Sequence, residues 1–189
     1  MGQKYAAYNA QGAIVGFYDS EDSPVPVDVT AIKISDAEWT QCLSTQSYTV
    51  QNGALVAPAA PTDEELLSAA QAAKVADLSA ACSAEIMAGF TSSALGDAYS
   101  YPSKDTDQRN LASSVFASLM PGIDPTWVTP FWCADEAGNW ELRPHTAAQI
   151  QRVGTDARAA IVACMTKNAA LAGEVTSSVS VEEVDLISW

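Results

Sequence analysis

A chain of 189 residues, 48% of them hydrophobic, is long enough for one large packed core or two small ones. Its formal net charge of −14 repels nucleic-acid phosphates and anionic lipid headgroups, so neither a nucleic acid nor a membrane is an expected partner. Cys42, Cys82, Cys133 and Cys164 stand far apart, without the close pairing of zinc ligands, so no metal is expected. They read as reduced, buried thiols of a protein made in a cytosol, and Met1-Gly2-Gln3-Lys4-Tyr5 opens without the apolar core of a secretory leader.

Along the chain, Tyr5–Tyr8 and Ala13–Tyr18 flank the turn Asn9-Ala10-Gln11-Gly12, which predicts a hairpin. Val29–Ile34 alternates as a strand. Ser35-Asp36-Ala37-Glu38 is a capping box, opening a short helix that carries Trp39, Cys42 and Leu43. Tyr48–Val50 and Ala54–Val56 bracket Gln51-Asn52-Gly53, and Asn-Gly accepts the positive φ angles of a hairpin turn. Ala57-Pro58-Ala59-Ala60-Pro61 reads as a stiff linker.

Thr62-Asp63-Glu64-Glu65 is a second capping box, starting a helix that runs to about Ala88. Leu67, Gln71, Val75, Leu78, Cys82 and Ile86 form its stripe, suited to packing on a helix of the same chain or of another. Gly89–Pro102 reads as a loop. Asp105-Thr106-Asp107-Gln108 begins a helix striped by Leu111, Val115 and Leu119. Trp127–Thr129 and Phe131–Ala134 read as strand, and the turn Asp135–Asn139 returns the chain into Trp140–Arg143. Thr146 and Gln149 cap a last helix, with Ile150, Val153, Ala157, Ile161 and Cys164 on its buried side. Gly154 in mid-helix signals close backbone packing. Val175–Trp189 alternates weakly and reads as an extra strand or a docking arm.

The search for chemistry returns little. His145, the one histidine, sits between Pro144 and a helix start, where a local hydrogen bond is the expected role rather than proton transfer. No GxSxG elbow, Walker loop, GxGxxG or EF-hand loop occurs. Asp105 with Asp107, or Asp135 with Glu136, are carboxylate pairs that a helix cap and a turn explain. No catalytic residue, cofactor or metal ligand is assigned, and the chain is expected not to be an enzyme. Tryptophan is enriched at binding hot spots, and Trp127, Trp132 and Trp140 crowd one hairpin. Tyr99, Tyr101, Trp127, Trp132, Trp140, His145 and Trp189 are therefore the residues expected to contact a partner.

Three runs in order carry a resemblance: Gly89-Phe90-Thr91-Ser92-Ser93-Ala94-Leu95-Gly96, Tyr99-Ser100-Tyr101-Pro102-Ser103 and Asp107-Gln108-Arg109-Asn110-Leu111. Phe131-Trp132-Cys133-Ala134-Asp135, Gly138-Asn139-Trp140 and His145-Thr146-Ala147-Ala148-Gln149-Ile150 continue it. Together, over roughly residues 63–170, they resemble a domain family of tailed-phage proteins usually encoded beside tail fibres. The N-terminal hairpins and the linker into Thr62-Asp63-Glu64-Glu65-Leu66 resemble phage tail-fibre assembly proteins. The resemblance implies a partner among tail or trimeric tail-fibre proteins. It also implies a place in the bacterial host cytoplasm during assembly, with release or retention in the virion tail as the two outcomes.

The reading is an α+β chain: a β-rich module over 1–57, a linker over 58–62, a helical domain with an inserted hairpin over 63–172, and an arm or strand over 173–189. Its expected role is that of a virion component or assembly factor that binds fibre or tail proteins, with a homo-oligomer as a compatible state. The competing role is a protein that binds or cleaves a surface glycan through the Trp127–Trp140 region, and a third is an acidic cover for a basic surface.

Overall fold

The computed structural model describes residues 2–45 and 47–189, so Met1 of the opening segment lies outside it. The chain is α+β and divides into two compact units, Met1–Pro61 and Thr62–Trp189. Among the described residues no helix is long and apolar enough to cross a membrane.

In the first unit, strands β1 (Lys4–Tyr8), β2 (Ile14–Asp19) and β3 (Ala31–Ile34) form an antiparallel sheet in the order β2-β1-β3. The third strand starts later than its alternation suggests, because the Val29 N–H turns back to the Pro26 carbonyl at 3.1 Å. Helix α1 (Asp36–Ser44) opens on the Ser35–Glu38 capping box, and Cys42 points from it into a core with Ala6, Ala7, Ile34 and Val50. Phe17 and Trp39 meet edge to face at 5.2 Å, with the Lys4 ammonium, paired to the buried Asp19, over the Trp39 ring. Strands β4 (Thr49–Gln51) and β5 (Ala54–Val56) close a hairpin whose turn holds Asn52 at φ 52° and Gly53 at φ 76°. Both angles are left-handed, the conformation that an Asn-Gly pair tolerates.

The second unit begins with α2 (Asp63–Ala88), capped by Thr62 and Glu65. It continues through β6 (Phe90–Ser92), β7 (Tyr99–Tyr101), α3 (Asp105–Ser118), β8 (Val128–Ala134), β9 (Trp140–Thr146), α4 (Ala147–Ser177) and α5 (Val181–Leu186). The strands form one antiparallel sheet in the order β6-β7-β8-β9. Two core clusters hold the unit. Tyr101, Leu111, Phe131, Cys133, Ile150, Val153 and Ala157 seat α3 and α4 against the sheet, and Leu78, Val175 and Val184 join α2, α4 and α5. A Cβ on Gly154 would stand 2.8 Å from Val115 Cγ2, so the bare glycine is what allows α3 this close to α4.

Two expectations are corrected. The Gly89–Pro102 segment is a hairpin of three-residue strands rather than a loop, because Phe90 and Tyr101 stack at 5.5 Å and drive both strands onto the core. The C-terminal segment is not a strand; it is helical and docks on its own unit. Helix α4 continues to Ser177, the Ser180 hydroxyl then caps α5, and Val184 is fully buried against α2 and α4. Val181 and Val184 lie three apart, the spacing of one helical face, and the weak alternation hid it.

Candidate functional site

The β8–β9 hairpin carries the surface of interest. Its turn is built by Asp135, whose carboxylate accepts the Asn139 N–H at 2.9 Å and the Asn139 side-chain N–H at 3.1 Å. Those bonds hold the Asp135 carboxyl below the usual carboxylate range, with the Arg143 guanidinium adding to the effect. Along the ladder Val128 pairs with Thr146, Pro130 with Pro144, Trp132 with Leu142 and Ala134 with Trp140. Paired residues of an antiparallel ladder share a face, so these pairs line one side and Phe131, Cys133, Arg143 and His145 the other.

The inner side is closed. Phe131 and Cys133 pack on Ile150, Val153 and Ala157 of α4. His145 and Tyr101 are fully buried, with Tyr101 Oη 2.9 Å from His145 Nε2 and His145 Nδ1 2.9 Å from the Arg143 carbonyl oxygen. A carbonyl only accepts, so Nδ1 carries the proton; neutral Nε2 then accepts the Tyr101 hydroxyl. Burial pushes the Tyr101 hydroxyl and the Cys133 thiol up and the His145 imidazole down, so each stays neutral near pH 7. Tyr101 and His145 were expected to contact a partner. Their burial corrects that: they are the polar pin of the core, satisfied by each other and by the backbone.

The outer side is open apart from the buried Ala134 at its turn end. Val128, Trp132, Trp140 and Leu142 are each 50 to 52% exposed, and Pro130 and Pro144 extend the same apolar face. The remaining expected contact residues are spread out. Tyr99 carries the Arg143 guanidinium 5.1 Å above its ring at the hairpin's flank, and Trp127 packs half-buried against the first core cluster. Trp189 belongs to the second cluster, donating from its indole to Glu85 beneath the Lys167 ammonium. Among the expected contacts, then, the fold brings Trp132 and Trp140 together on one open face.

This face runs into a groove of about 320 Å³ beside α3, lined by Asn110, Ser114, Pro130, Trp132 and Leu142, and two larger concavities lie in the same unit. A cleft of about 740 Å³ lies between the β6–β7 and β8–β9 turns, lined by Asp97, Tyr99, Asp135, Glu136 and Trp140. A groove of about 620 Å³ runs between α3 and α4, lined by Leu111, Val115, Phe116, Leu119, Arg158 and Ile161. Leu119, on the apolar stripe predicted for α3, is the C-cap of that helix and 63% exposed. Among the described residues no group of three or more His, Cys, Asp or Glu side chains is placed to hold a metal ion.

Residues 69–188 match the model of a family described as a domain of unknown function (DUF4376). The chain belongs to that family. The matched span holds the whole four-stranded sheet, α3, α4 and α5, so the tryptophan face is part of the family domain. Comparison with curated proteins and with solved structures gave no match.

Proposed function

We propose that this protein is a phage tail-fibre-associated binding protein that docks a fibre or tail protein on the outer face of the β8–β9 hairpin. The observation that carries the reading is the set Trp132, Trp140 and Leu142, half-exposed on one face of strands whose other face is locked into a core. Exposed tryptophans on a rigid support lose little conformational freedom when covered, and large apolar residues flanked by polar ones are the usual composition of binding hot spots. The order of motifs from Gly89 to Ile150 supports a partner of tail-fibre type. Assembly in the bacterial host cytoplasm follows, after which the protein either leaves the fibre or remains in the virion tail.

Titration calorimetry with a trimeric tail-fibre protein tests the docking face. Trp132→Ala is expected to weaken binding by about 30-fold or more, the effect of deleting a hot-spot side chain worth ~2 kcal/mol. Unchanged affinity in Trp132→Ala and Trp140→Ala would sink the proposal. Mass spectrometry of purified virions then separates a tail component, present in fixed stoichiometry, from an assembly factor, which is lost.

The cleft beside Trp140 favours a second reading, a glycan site with the indole as stacking platform and Asp97 and Glu136 as hydroxyl acceptors. Asp135 is already engaged by Asn139 and held ionised, so it suits binding rather than proton donation. Glycan-array signal that disappears in Trp140→Ala and survives in Trp132→Ala would favour this reading over the first.

A further inference from the structure

The β9 strand is the edge of its sheet, and its two prolines-in-register fix which backbone groups that edge offers. Pro130 pairs with Pro144, and neither has an N–H, so this pair is a non-hydrogen-bonded one. Ladder bonds between β8 and β9 therefore run through Thr129 with His145, Phe131 with Arg143, and Cys133 with Glu141. By alternation the N–H and C=O groups of Trp140 and Leu142, and the Pro144 carbonyl, point away from β8. Among the described residues no hydrogen bond engages the Trp140 or Leu142 backbone at that edge. Natural sheets usually blunt such an edge with charge, proline or a bulge; here Pro144, Glu141 and Arg143 stand beside tryptophan and leucine, and the two charges are of opposite sign.

We infer that this edge pairs antiparallel with the β9 edge of a second copy of the chain, about a two-fold axis at Leu142. The sequence Trp140-Glu141-Leu142-Arg143-Pro144 is complementary to itself in that register. Leu142 and its counterpart exchange two main-chain hydrogen bonds, and each Trp140 N–H meets the Pro144 carbonyl across the axis. Glu141 faces Arg143 of the second copy, in the closely spaced pair type where opposite charges attract best. Within one copy the Arg143 guanidinium already binds Glu141 at 2.9 Å, so the Glu141 of the second copy shares a cation that one carboxylate holds in place. A two-fold perpendicular to the sheet keeps both outer faces on one side. The tryptophan faces then merge into a single apolar surface, which goes beyond the docking role proposed above and does not depend on it.

Sedimentation velocity on the full chain tests this from low-micromolar to sub-millimolar concentration, at ~0.15 M salt so that long-range repulsion is screened within about 8 Å. The expected result is a rise from 19.8 kDa toward twice that mass. Leu142→Pro removes an N–H that the β8 ladder does not use, so it is expected to leave the far-ultraviolet dichroism intact. It should raise the concentration for half-dimerisation at least about tenfold through loss of both central bonds. A second test is independent of backbone strain. Glu141→Lys alone and Arg143→Glu alone each place like charges opposite one another, whereas a mixture of the two restores opposite charges at both positions and should form the heterodimer. A wild-type chain that stays monomeric throughout overturns the inference, as does a dimer indifferent to Leu142→Pro and to the charge exchange. Loss of fibre binding with the dimer retained would instead strike the docking proposal alone.

Discussion

The two faces of the β8–β9 hairpin share every backbone atom yet meet opposite surroundings. Inward, Phe131, Cys133 and His145 are buried, and the imidazole has partners at both nitrogens. Outward, Val128, Trp132, Trp140 and Leu142 keep about half their surface in water, with α3 beside Trp132 and Leu142. The difference teaches a division of labour: one face holds the hairpin rigid, and the proposed docking assigns recognition to the other.

Substitutions on the inner face should cost stability, in a descending series. Phe131→Ala is expected to lose ~3–5 kcal/mol in a denaturant titration, from lost transfer energy and the cavity left among Tyr101, Leu111 and Ile150. Tyr101→Phe keeps the ring stacked on Phe90 but leaves His145 Nε2 a buried acceptor without a donor, at ~1–3 kcal/mol.

Acid should act on the same pair. Burial lowers the folded-state His145 pKa below its ordinary 6.5, so the unfolded chain takes up the proton first. Stability is then fully present above about pH 6.5 and falls as pH drops below it, by at most ~1.4 kcal/mol per pH unit. The denaturation midpoint measured between pH 7 and pH 5 should show this slope, and His145→Gln should flatten it; an equal slope in the variant would remove His145 as its source. Carboxylates such as Asp135, whose pKa is lowered, add their own loss only at more acidic pH. Smallest of all, Trp132→Ala should cost less stability than either inner-face variant while it weakens fibre binding about 30-fold, the outcome that most sharply separates the two faces.

Much of this layout is legible without coordinates wherever the cause is local. The capping boxes at Ser35, Thr62 and Thr146 form as their spacing predicts, because cap and partner lie within one helical turn. The Asn52-Gly53 turn and the Asp135–Asn139 turn follow from residues that close on themselves. The buried stripes Leu78–Cys82 and Ile150–Val153–Ala157 follow from helical periodicity. The sheet between Phe90 and Tyr101 was not legible, since three-residue strands rich in Ser and Thr have no signal of their own and exist because Phe90 and Tyr101 find the same core.

The same boundary runs through the candidate site. Sequence alone determined that Trp132 and Trp140 share a hairpin, and that His145 should make a short-range hydrogen bond, as it does to the Arg143 carbonyl. Only the tertiary structure decided that Trp132 and Trp140 face water while Tyr101 and His145 are sealed inside, and that the Val184 helix replaces a strand at the C-terminus. Alternation says that neighbouring side chains point to opposite sides of a strand. Which side is covered depends on where a helix from elsewhere in the chain comes to rest, and no local pattern encodes that.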